Sequence, residues 1–419
     1  MVRIFLKYLL EALFLTFLIS LGVRAEQVIE VCGNCTITTL GEALKQSRAG
    51  DIIQVKSGTY YESELEISKP VTLIGVDRPV IDGEEKGTIL RITAKNVLVS
   101  GFTFRNVGFS HTKEYAAIHL FESEQFQITD NILENAFFGI LIERSKKGEV
   151  SGNRISGTSG KESYSGNGIH GWNSSGLIIK ENTLTNLRDG IYLEFVDDSE
   201  IIGNLSYGNN RYGLHFMFSN RDSYTSNIFR ENGAGVAVMF SKFITMTGNK
   251  FEQNWGTASF GLLLKEIYDA EITHNDFYQN TVAIKVEGST RVNYRGNNLR
   301  ENGWAIKVAG GCYTNRFTGN NFLFNSFDLS YNSKMNDNVF ERNYWSSYAG
   351  YDLNKDGYGD VPYRPVKLFS YVVNRTPETV ILLRSLFTDI LNFSESVSPV
   401  FTPDNLSDLY PLTKPIRND

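Results

Sequence analysis

The segment GLHFMFS at residues 213–219 is followed one repeat later by GVAVMFS at residues 235–241. Around these segments asparagine recurs in the context -[GDESHN]-N-x-[FILS]-, with separations of 22, 29, 22, 23, 22, 26, 22, 23 and 18 residues. The repeated asparagines are Asn131, Asn153, Asn182, Asn204, Asn227, Asn249, Asn275, Asn297, Asn320 and Asn338. A period near 22 residues leaves room for three short strands in each copy but not for a helix, which is typical of a solenoid. We therefore predict an all-β fold, a right-handed parallel β-helix of about 22-residue coils in which stacked asparagines form hydrogen-bonded ladders.

Alternation along the strands predicts which side chains face the core, because successive side chains of a strand point to opposite sides. In 213–219 the apolar set Leu214, Phe216 and Phe218 fits the core. The equivalent core positions in the neighbouring coils are Ile191, Leu193 and Phe195, and Val236, Val238 and Phe240. The other set faces outward, so Met217 and Met239 are expected at one register of adjacent coils, about 4.8 Å apart at the backbone.

The outward set predicts a soft-metal site. Thioether and imidazole ligands together favour Cu(I), because a soft ion prefers soft ligands and these need not lose a proton beyond a neutral imidazole. We expect His215, Met217 and Met239 to bind Cu(I) loosely enough to pass it on. Glu194 could orient the histidine, and His170, two coils away at the matching position, could be the first ligand that an incoming ion meets.

Packing beneath a loop is the alternative for the outward methionines. Two long intervals in the repeat predict loops at 157–168 and around Trp255, on either side of the GLHFMFS coil. Such a loop could cover Met217 and Met239 without any metal. The remaining histidines are expected in solvated turns or loops: His111, His119 and His274.

The first 60 residues predict a secreted chain with a capped solenoid. Residues 1–25 place basic residues before an apolar run and end in V-R-A, which is typical of a cleaved secretory signal and implies a periplasmic location. A transmembrane anchor is the alternative, but the run is short and interrupted by a glutamate. Residues 26–60 are expected to form an N-terminal cap and the first coil, with Leu40, Ala43 and Leu44 on the buried face of a short helix.

The charge balance restricts the class of partner. The chain has 41 Lys and Arg against 47 Asp and Glu, a net charge of −6. Loss of residues 1–25 removes three basic residues and one acidic residue and changes the net charge to −8. We therefore expect no nucleic-acid binding.

The coils are assigned to residues 61–350 and a distinct C-terminal segment to residues 351–419. Within it, TPETVILLRSLFTDILNF at 376–393 begins with residues that favour a helix start, and its apolar residues cover more than one helix face. We expect this stretch either to cap the C-terminal end of the solenoid or to dock on a partner.

Two further motifs are candidate metal sites. Cys32 and Cys35 in C-G-N-C could form a disulfide, bind a metal as a dithiol or remain two thiols. The segment DLNKDGYGD at 352–360 resembles an EF-hand calcium loop, although a tyrosine replaces the glutamate at its twelfth position. Its candidate Ca²⁺ ligands are Asp352, Asn354, Asp356 and Asp360. Ordinary turns are the alternative for such a cluster.

Four segments together resemble the NosD family. They are DGIYL at 189–193, RYGLHFMFS at 211–219, GAGVAVMFS at 233–241 and YDLNKDGYGDVPYRP at 351–365. The resemblance implies a periplasmic accessory protein of nitrous oxide reductase maturation, built on a pectin-lyase-like β-helix. It also implies partnership with the permease and ATPase subunits of an ABC transporter, with a copper-chaperone lipoprotein that delivers Cu(I), and with the nitrous oxide reductase apoenzyme. The 376–393 stretch would then dock on the permease.

An enzyme acting on acidic polysaccharide is the main alternative, since many β-helices are lyases, epimerases or hydrolases. Such a site needs clustered carboxylates. The outward column offers Glu143, Glu194 and Glu287, and no two of these occupy adjacent coils. Aspartates near Glu194 keep this alternative open, and a purely adhesive surface protein is a third class. The expectation that best fits the residues is a binding protein that is not an enzyme.

Overall fold

The structure, a computed structural model, describes residues 27–417 apart from 159, 161–163, 333–335, 384 and 398–405. The signal segment predicted at 1–25 lies outside the described residues. Within the described chain, the strands form three parallel sheets, A, B and C, of 14, 13 and 12 strands. Each complete coil contributes one strand to each sheet, the coils at the two ends lack some of the strands, and consecutive coils stack in register, so the predicted parallel β-helix is confirmed.

The strands of sheet A are β1 Val28–Val31, β2 Ile52–Val55, β5 Thr72–Gly75, β8 Leu98–Ser100, β11 Gln127–Thr129, β14 Glu149–Ser151, β17 Ile178–Lys180, β20 Glu200–Ile202, β23 Ser223–Thr225, β26 Thr245–Thr247, β29 Tyr268–Thr273, β32 Thr290–Arg295, β35 Arg316–Thr318 and β38 Val339–Glu341. The strands of sheet B are β3 Thr59–Tyr61, β6 Val80–Asp82, β9 Thr103–Arg105, β12 Ile132–Glu134, β15 Arg154–Ser156, β18 Thr183–Thr185, β21 Leu205–Tyr207, β24 Ile228–Arg230, β27 Lys250–Glu252, β30 Asp276–Tyr278, β33 Asn298–Arg300, β36 Asn321–Leu323 and β39 Tyr344–Trp345. The strands of sheet C are β4 Leu65–Ile67, β7 Leu90–Ile92, β10 Ala116–Phe121, β13 Phe138–Glu143, β16 Ile169–Ser175, β19 Asp189–Asp197, β22 Tyr212–Met217, β25 Ala234–Met239, β28 Leu262–Lys265, β31 Val282–Glu287, β34 Trp304–Val308 and β37 Phe327–Tyr331.

Buried asparagines link the coils as predicted. The Asn204 side chain donates from Nδ2 to Asn227 Oδ1 at 2.9 Å and to the carbonyl oxygen of Ile179. Asn227 Oδ1 also accepts the backbone N–H of Asn204. Each asparagine side chain therefore forms hydrogen bonds with a carbonyl group of the preceding coil and with the asparagine of the following coil. Without these partners, the burial of the polar groups would cost free energy.

The ladder ends differently from the sequence prediction. Asn320 donates to Asn343, 23 residues further on, so the assignment of Asn338 to this ladder is wrong. Asn338 instead accepts from Asn315 in a separate stack. The last amide, Asn343, is closed by the carboxylate of Asp408, which accepts from its backbone N–H at 2.9 Å.

The N-terminal cap contains the short helix α1, Leu40–Gln46, which buries Leu40, Ala43 and Leu44 as the sequence predicts. The helix begins after Thr39, whose hydroxyl accepts the N–H of Glu42. It packs on the first strands of sheets A and C, so it covers the N-terminal end of the core.

The C-terminal segment supplies two α-helices and a 3₁₀ helix among the described residues. Helix α2 (Leu368–Arg375), a 3₁₀ helix (Pro377–Leu382) and helix α3 (Leu386–Val397) lie on the outer face of sheet C. Phe369 and Val373 pack there against outward side chains such as Leu263. The alternative in which 376–393 caps the end of the solenoid is therefore wrong.

The end of the solenoid is closed by other residues. Leu406 joins the core there with Tyr363 and Trp345, and Asp408 accepts a hydrogen bond from Trp345 Nε1 at 3.0 Å. In the part of the chain that the structure describes, every helix is too short or too polar to traverse a bilayer.

Candidate functional site

Two columns of outward side chains run along sheet C, perpendicular to the strands. One column reads Phe121, Glu143, Trp172, Glu194, Met217, Met239, Lys265 and Glu287. The other reads His119, Leu141, His170, Tyr192, His215, Ala237, Leu263 and Lys285. The predicted pairing of Met217 with Met239, and the placement of His215 on the same face, are therefore confirmed at the level of register.

The two methionines are the last residues of strands β22 and β25. Both side chains are half-buried, so each thioether has partial access to solvent. Met239 packs against the outer apolar cluster of sheet C, whose buried members include Ala237, Phe260 and Leu263, and Phe369 and Val373 of helix α2 belong to the same cluster. Phe260 lies close after the loop predicted around Trp255, so apolar packing near that loop accounts for part of the burial of Met239.

His215 lies buried between two tyrosine rings, although it belongs to the outward set. The centroids of Tyr192 and Tyr212 each lie 4.9 Å from that of the imidazole. The Nδ1 atom lies 3.6 Å from a carboxylate oxygen of Asp189, whereas Nε2 is buried and has no hydrogen-bond partner among the described residues. Arg211 Nη2 also lies 3.4 Å from Nδ1, so the Asp189–Arg211 pair positions the imidazole from that side.

The carboxylate at His215 is Asp189, which sequence reasoning considered only as part of an acidic cluster. It is fully buried, and it accepts from Arg211 Nε at 2.8 Å, from Arg211 Nη2 and from the backbone N–H of Tyr212 at 3.2 Å. Burial raises the pKa of Asp189, but the hydrogen bonds and the positive charge of Arg211 outweigh this effect, so the pKa lies below its usual value. Asp189 is therefore a carboxylate at neutral pH.

Glu194 does not have the role predicted for it. Tyr192 donates its hydroxyl to Glu194 Oε2 at 3.2 Å, and it is Asp189 that lies beside the imidazole of His215. Burial, together with the charge of Glu194, raises the pKa of Tyr192 to about 12, so the phenol stays neutral and acts as the donor.

His170 occupies the predicted position, one coil beyond Tyr192 in the same column. Its ring stacks on Phe138 with centroids 5.6 Å apart and meets the edge of Tyr192 at 4.7 Å. Burial lowers the pKa of His170 to about 4, so the imidazole is neutral at physiological pH. Its Nδ1 atom is buried without a hydrogen-bond partner among the described residues. His170 therefore lies in the same column as His215, but its side chain is buried and not exposed to solvent.

The sequence prediction for His119 is wrong, because this residue belongs to strand β10 and to the column of His170 and His215. Its Nε2 atom pairs with the carboxylate of Glu143 on the next coil. Burial lowers the pKa of His119 more than Glu143 raises it. The signal in the sequence was the apolar AAIHLF pattern of residues 116–121, which places His119 outward like His215. His274, in contrast, lies exposed in a turn as expected.

The remaining metal candidates are placed as follows. Cys32 and Cys35 form a disulfide, so the dithiol metal site and the free-thiol alternative do not apply to this state.

In the 352–360 segment, Asp352 accepts hydrogen bonds from the N–H groups of Asp356 and Gly357, and Asp360 accepts one from the N–H group of Leu353. These are turn contacts. In the described chain, no group of three or more His, Cys, Asp or Glu side chains could hold a metal ion.

Three phenylalanines predicted for the core are exposed instead. Phe195, Phe218 and Phe240 directly follow Glu194, Met217 and Met239, and their exposed fractions are 48%, 38% and 39%. Their φ angles of 54°, 52° and 56° are left-handed, so the alternation of the strand ends at the residue before each of them. The alternation rule was applied one residue too far.

A family model described as "Periplasmic copper-binding protein (NosD)" matches residues 47–165 and 155–351. Two curated relatives carry the name "Probable ABC transporter binding protein NosD". The one from Stutzerimonas stutzeri is 30% identical over 374 residues, covering 84% of this chain and 85% of the relative. The one from Pseudomonas aeruginosa is 28% identical over 385 residues, covering 84% and 86%.

Solved structures resemble the fold. The A-module of the mannuronan C-5 epimerase AlgE6 of Azotobacter vinelandii gives a TM-score of 0.62 at 12% identity, over 71% of this chain and 91% of the module. The Dettilon tailspike protein gives a TM-score of 0.52 at 14% identity, over 71% and 67%. Identities this low show a shared β-helix and carry no information on activity.

Proposed function

The chain belongs to the NosD family of periplasmic copper-binding proteins, and we propose that it receives Cu(I) from a copper-chaperone lipoprotein and passes it on during copper-site maturation of nitrous oxide reductase. In this proposal the protein works with the permease and ATPase subunits of an ABC transporter. It is a binding protein, and the energy for transfer comes from the ATPase subunit.

The observation that carries the proposal is the grouping of soft and unsatisfied ligands on sheet C. Met217 and Met239 stand opposite each other at the ends of adjacent strands, with His215 two residues before Met217 on the same face. The buried Nε2 atom of His215 has no hydrogen-bond partner in the described chain, which costs free energy unless a ligand uses it. Two thioethers and a neutral imidazole suit Cu(I), which is the cargo in this proposal.

The ligand types favour transfer over storage. A neutral set without thiolate binds Cu(I) less tightly than a cysteine site, so the ion can move to a stronger acceptor. Asp189 and Arg211 support this role by positioning the imidazole of His215 at Nδ1, and Arg211 donates two hydrogen bonds to Asp189. His170 lies two coils away in the same column, and we assign it no direct bond to the ion.

An anaerobic Cu(I) titration of residues 26–419 against a chromophoric chelator tests this proposal. We expect the double variant Met217→Ala/Met239→Ala and the single variant His215→Ala each to lower the Cu(I) affinity at least tenfold while circular dichroism stays unchanged. Cys32→Ser/Cys35→Ser is the matched control, because it removes the other two sulfur atoms that remained as candidates. If only the cysteine variant lost copper, the ion would bind at the N-terminal cap and the proposal would be wrong.

For the transporter, we propose docking through the outer side of helix α3. Leu386, Ile390 and Phe393 are 74%, 57% and 71% exposed, whereas Leu391 on the other side packs toward the Met239 cluster. The helical segment thus packs on the apolar cluster that Met239 also contacts. In this proposal, a movement of the transporter that shifted α3 would be transmitted to Met239 through that cluster.

Pull-down with the membrane-inserted transporter tests the docking. Truncation at residue 376 is unsuitable because it also removes Asp408, which closes the asparagine ladder. We instead expect Leu386→Glu/Ile390→Glu/Phe393→Glu to abolish the complex with an unchanged circular dichroism spectrum. Leu353→Glu is the control, since Leu353 is 77% exposed but lies away from α3 in sequence. An intact complex with the triple variant would refute the docking.

A further inference from the structure

The stacked side chains of Phe195, Phe218 and Phe240, which we call the Phe ladder, form an exposed aromatic surface beside the methionine pair. Neighbouring rings lie 5.1 Å and 5.0 Å apart between centroids, with interplanar angles of 9° and 12°. Phe218 and Phe240 directly follow Met217 and Met239 in sequence. Contact with the Phe ladder therefore brings another molecule to the edge of the proposed copper site.

The fold does not require aromatic residues at these positions. All three have a left-handed backbone, a conformation that bulky residues rarely adopt. The equivalent positions of other coils, which also have positive φ, carry polar residues: Glu122, Arg144, Asn173 and Glu266. Phenylalanine thus replaces a polar residue on the three coils that carry Glu194, Met217 and Met239, and it leaves apolar surface exposed there.

The ring geometry selects a protein as the occupant. A bound sugar stacks on an open aromatic face, but here the faces are turned against one another and the Phe240 ring carries the ammonium group of Lys265 at 5.9 Å. The three side chains keep exposed fractions of 48%, 38% and 39%, and apolar surface of this kind suits aliphatic and aromatic side chains of another protein. Asn173 and Glu266 lie at the two ends of this apolar strip and give it a polar border of the kind found at protein–protein interfaces.

We propose that the Phe ladder is the docking surface for the protein that donates Cu(I), a donor whose metal site is bordered by apolar side chains. This inference rests on the proposed copper function. Ligand exchange between two proteins requires the donor's ion to come within bonding distance of the acceptor's sulfur atoms. The donor must then contact the residues that adjoin Met217 and Met239, and the exposed apolar ones are Phe218 and Phe240.

The variant Phe195→Asn/Phe218→Glu/Phe240→Glu tests the docking, because it uses residues that equivalent positions already carry with the same backbone. Phe324→Glu is the matched control, since Phe324 is 75% exposed at a φ of 53° on a different turn. The probe is the lipid-free, Cu(I)-loaded copper chaperone, mixed with each variant by stopped flow under anaerobic conditions. The Cu(I) affinity of each variant is measured separately by chelator competition.

We expect the ladder variant to lower the second-order transfer rate at least tenfold, with Cu(I) affinity and melting temperature unchanged, and the control to behave like the wild type. An unchanged transfer rate would refute the docking surface and leave the copper proposal intact. A lowered melting temperature would show that the ladder serves the fold, and a change of oligomeric state on sedimentation would show that its partner is a second copy of this chain. Either result would overturn the inference. Failure of the copper proposal itself appears separately, as unchanged Cu(I) affinity in Met217→Ala/Met239→Ala.

Discussion

Replacement of Asp189 by asparagine should weaken both the fold and the copper site. The carboxylate is fully buried and accepts two hydrogen bonds from Arg211 and one from the backbone N–H of Tyr212. An asparagine of the same shape keeps one acceptor oxygen but turns an NH₂ group toward the guanidinium. The charge of Arg211, whose side chain is 26% exposed, then loses its partner.

The magnitude follows from these contacts. Removing one member of a buried, hydrogen-bonded ion pair costs about 3–5 kcal/mol, and partial exposure of Arg211 places the expected loss of unfolding free energy near the lower value, about 3 kcal/mol. The same change removes the carboxylate that helps to position His215 at Nδ1. Loss of such a support lowers metal affinity about 10–100-fold, and we expect Cu(I) affinity to fall within that range.

Urea denaturation followed by circular dichroism measures the first effect. Since the folded-state pKa of Asp189 lies below its unfolded value of about 3.9, its stabilisation is complete above that pH and is lost as the pH falls through the lower folded value. The difference between wild type and Asp189→Asn should thus be constant from pH 5 to 8 and shrink below about pH 4.

A surface pair supplies the control. Asp198 also accepts two hydrogen bonds from an arginine, Arg221, but is largely exposed. Asp198→Asn should change neither stability nor copper binding measurably. A loss below about 1 kcal/mol at pH 7 in Asp189→Asn, together with wild-type Cu(I) affinity, would refute the role assigned to the buried pair.

Three further predictions concern the core and the histidine column. Asn227→Ala should lower the unfolding free energy by about 3 kcal/mol, because the buried N–H of Asn204 loses its acceptor; urea midpoints check this. Asp408→Asn should lower the melting temperature, as measured by calorimetry. A neutral amide then replaces the carboxylate that ends the asparagine ladder and accepts the hydrogen bond of Trp345 Nε1. The pKa of His170 is about 4, below the unfolded value of about 6.5, so the unfolded state binds the proton first. Wild type should therefore lose up to about 3 kcal/mol between pH 6.5 and 4, a slope that His170→Gln should lack.

The sequence predicts the register of this protein well because the repeat is local. A turn asparagine satisfies the same backbone groups in every coil, so its spacing reveals the period, and the two-residue alternation then fixes which residues share a column. Met217 and Met239 could be paired on that basis alone, as could the buried helix residues Leu40 and Leu44. Prediction failed for Asn338, where two ladders with the same motif run in parallel.

The surroundings of the methionine column were decided by the tertiary structure. Met239 packs against an outer apolar cluster that also contains Val373 of helix α2, and no local pattern indicates where such a distant segment packs. Asp189 contacts His215 from the preceding coil, and the alternation of side chains along a strand does not give the distance between them. The left-handed backbone that exposes Phe218 cannot be predicted by a rule based on extended strands. The repeat in the sequence thus determined the scaffold and the neighbours within each column, whereas the burial of the site and the orientation of His215 depend on contacts between different coils and distant segments.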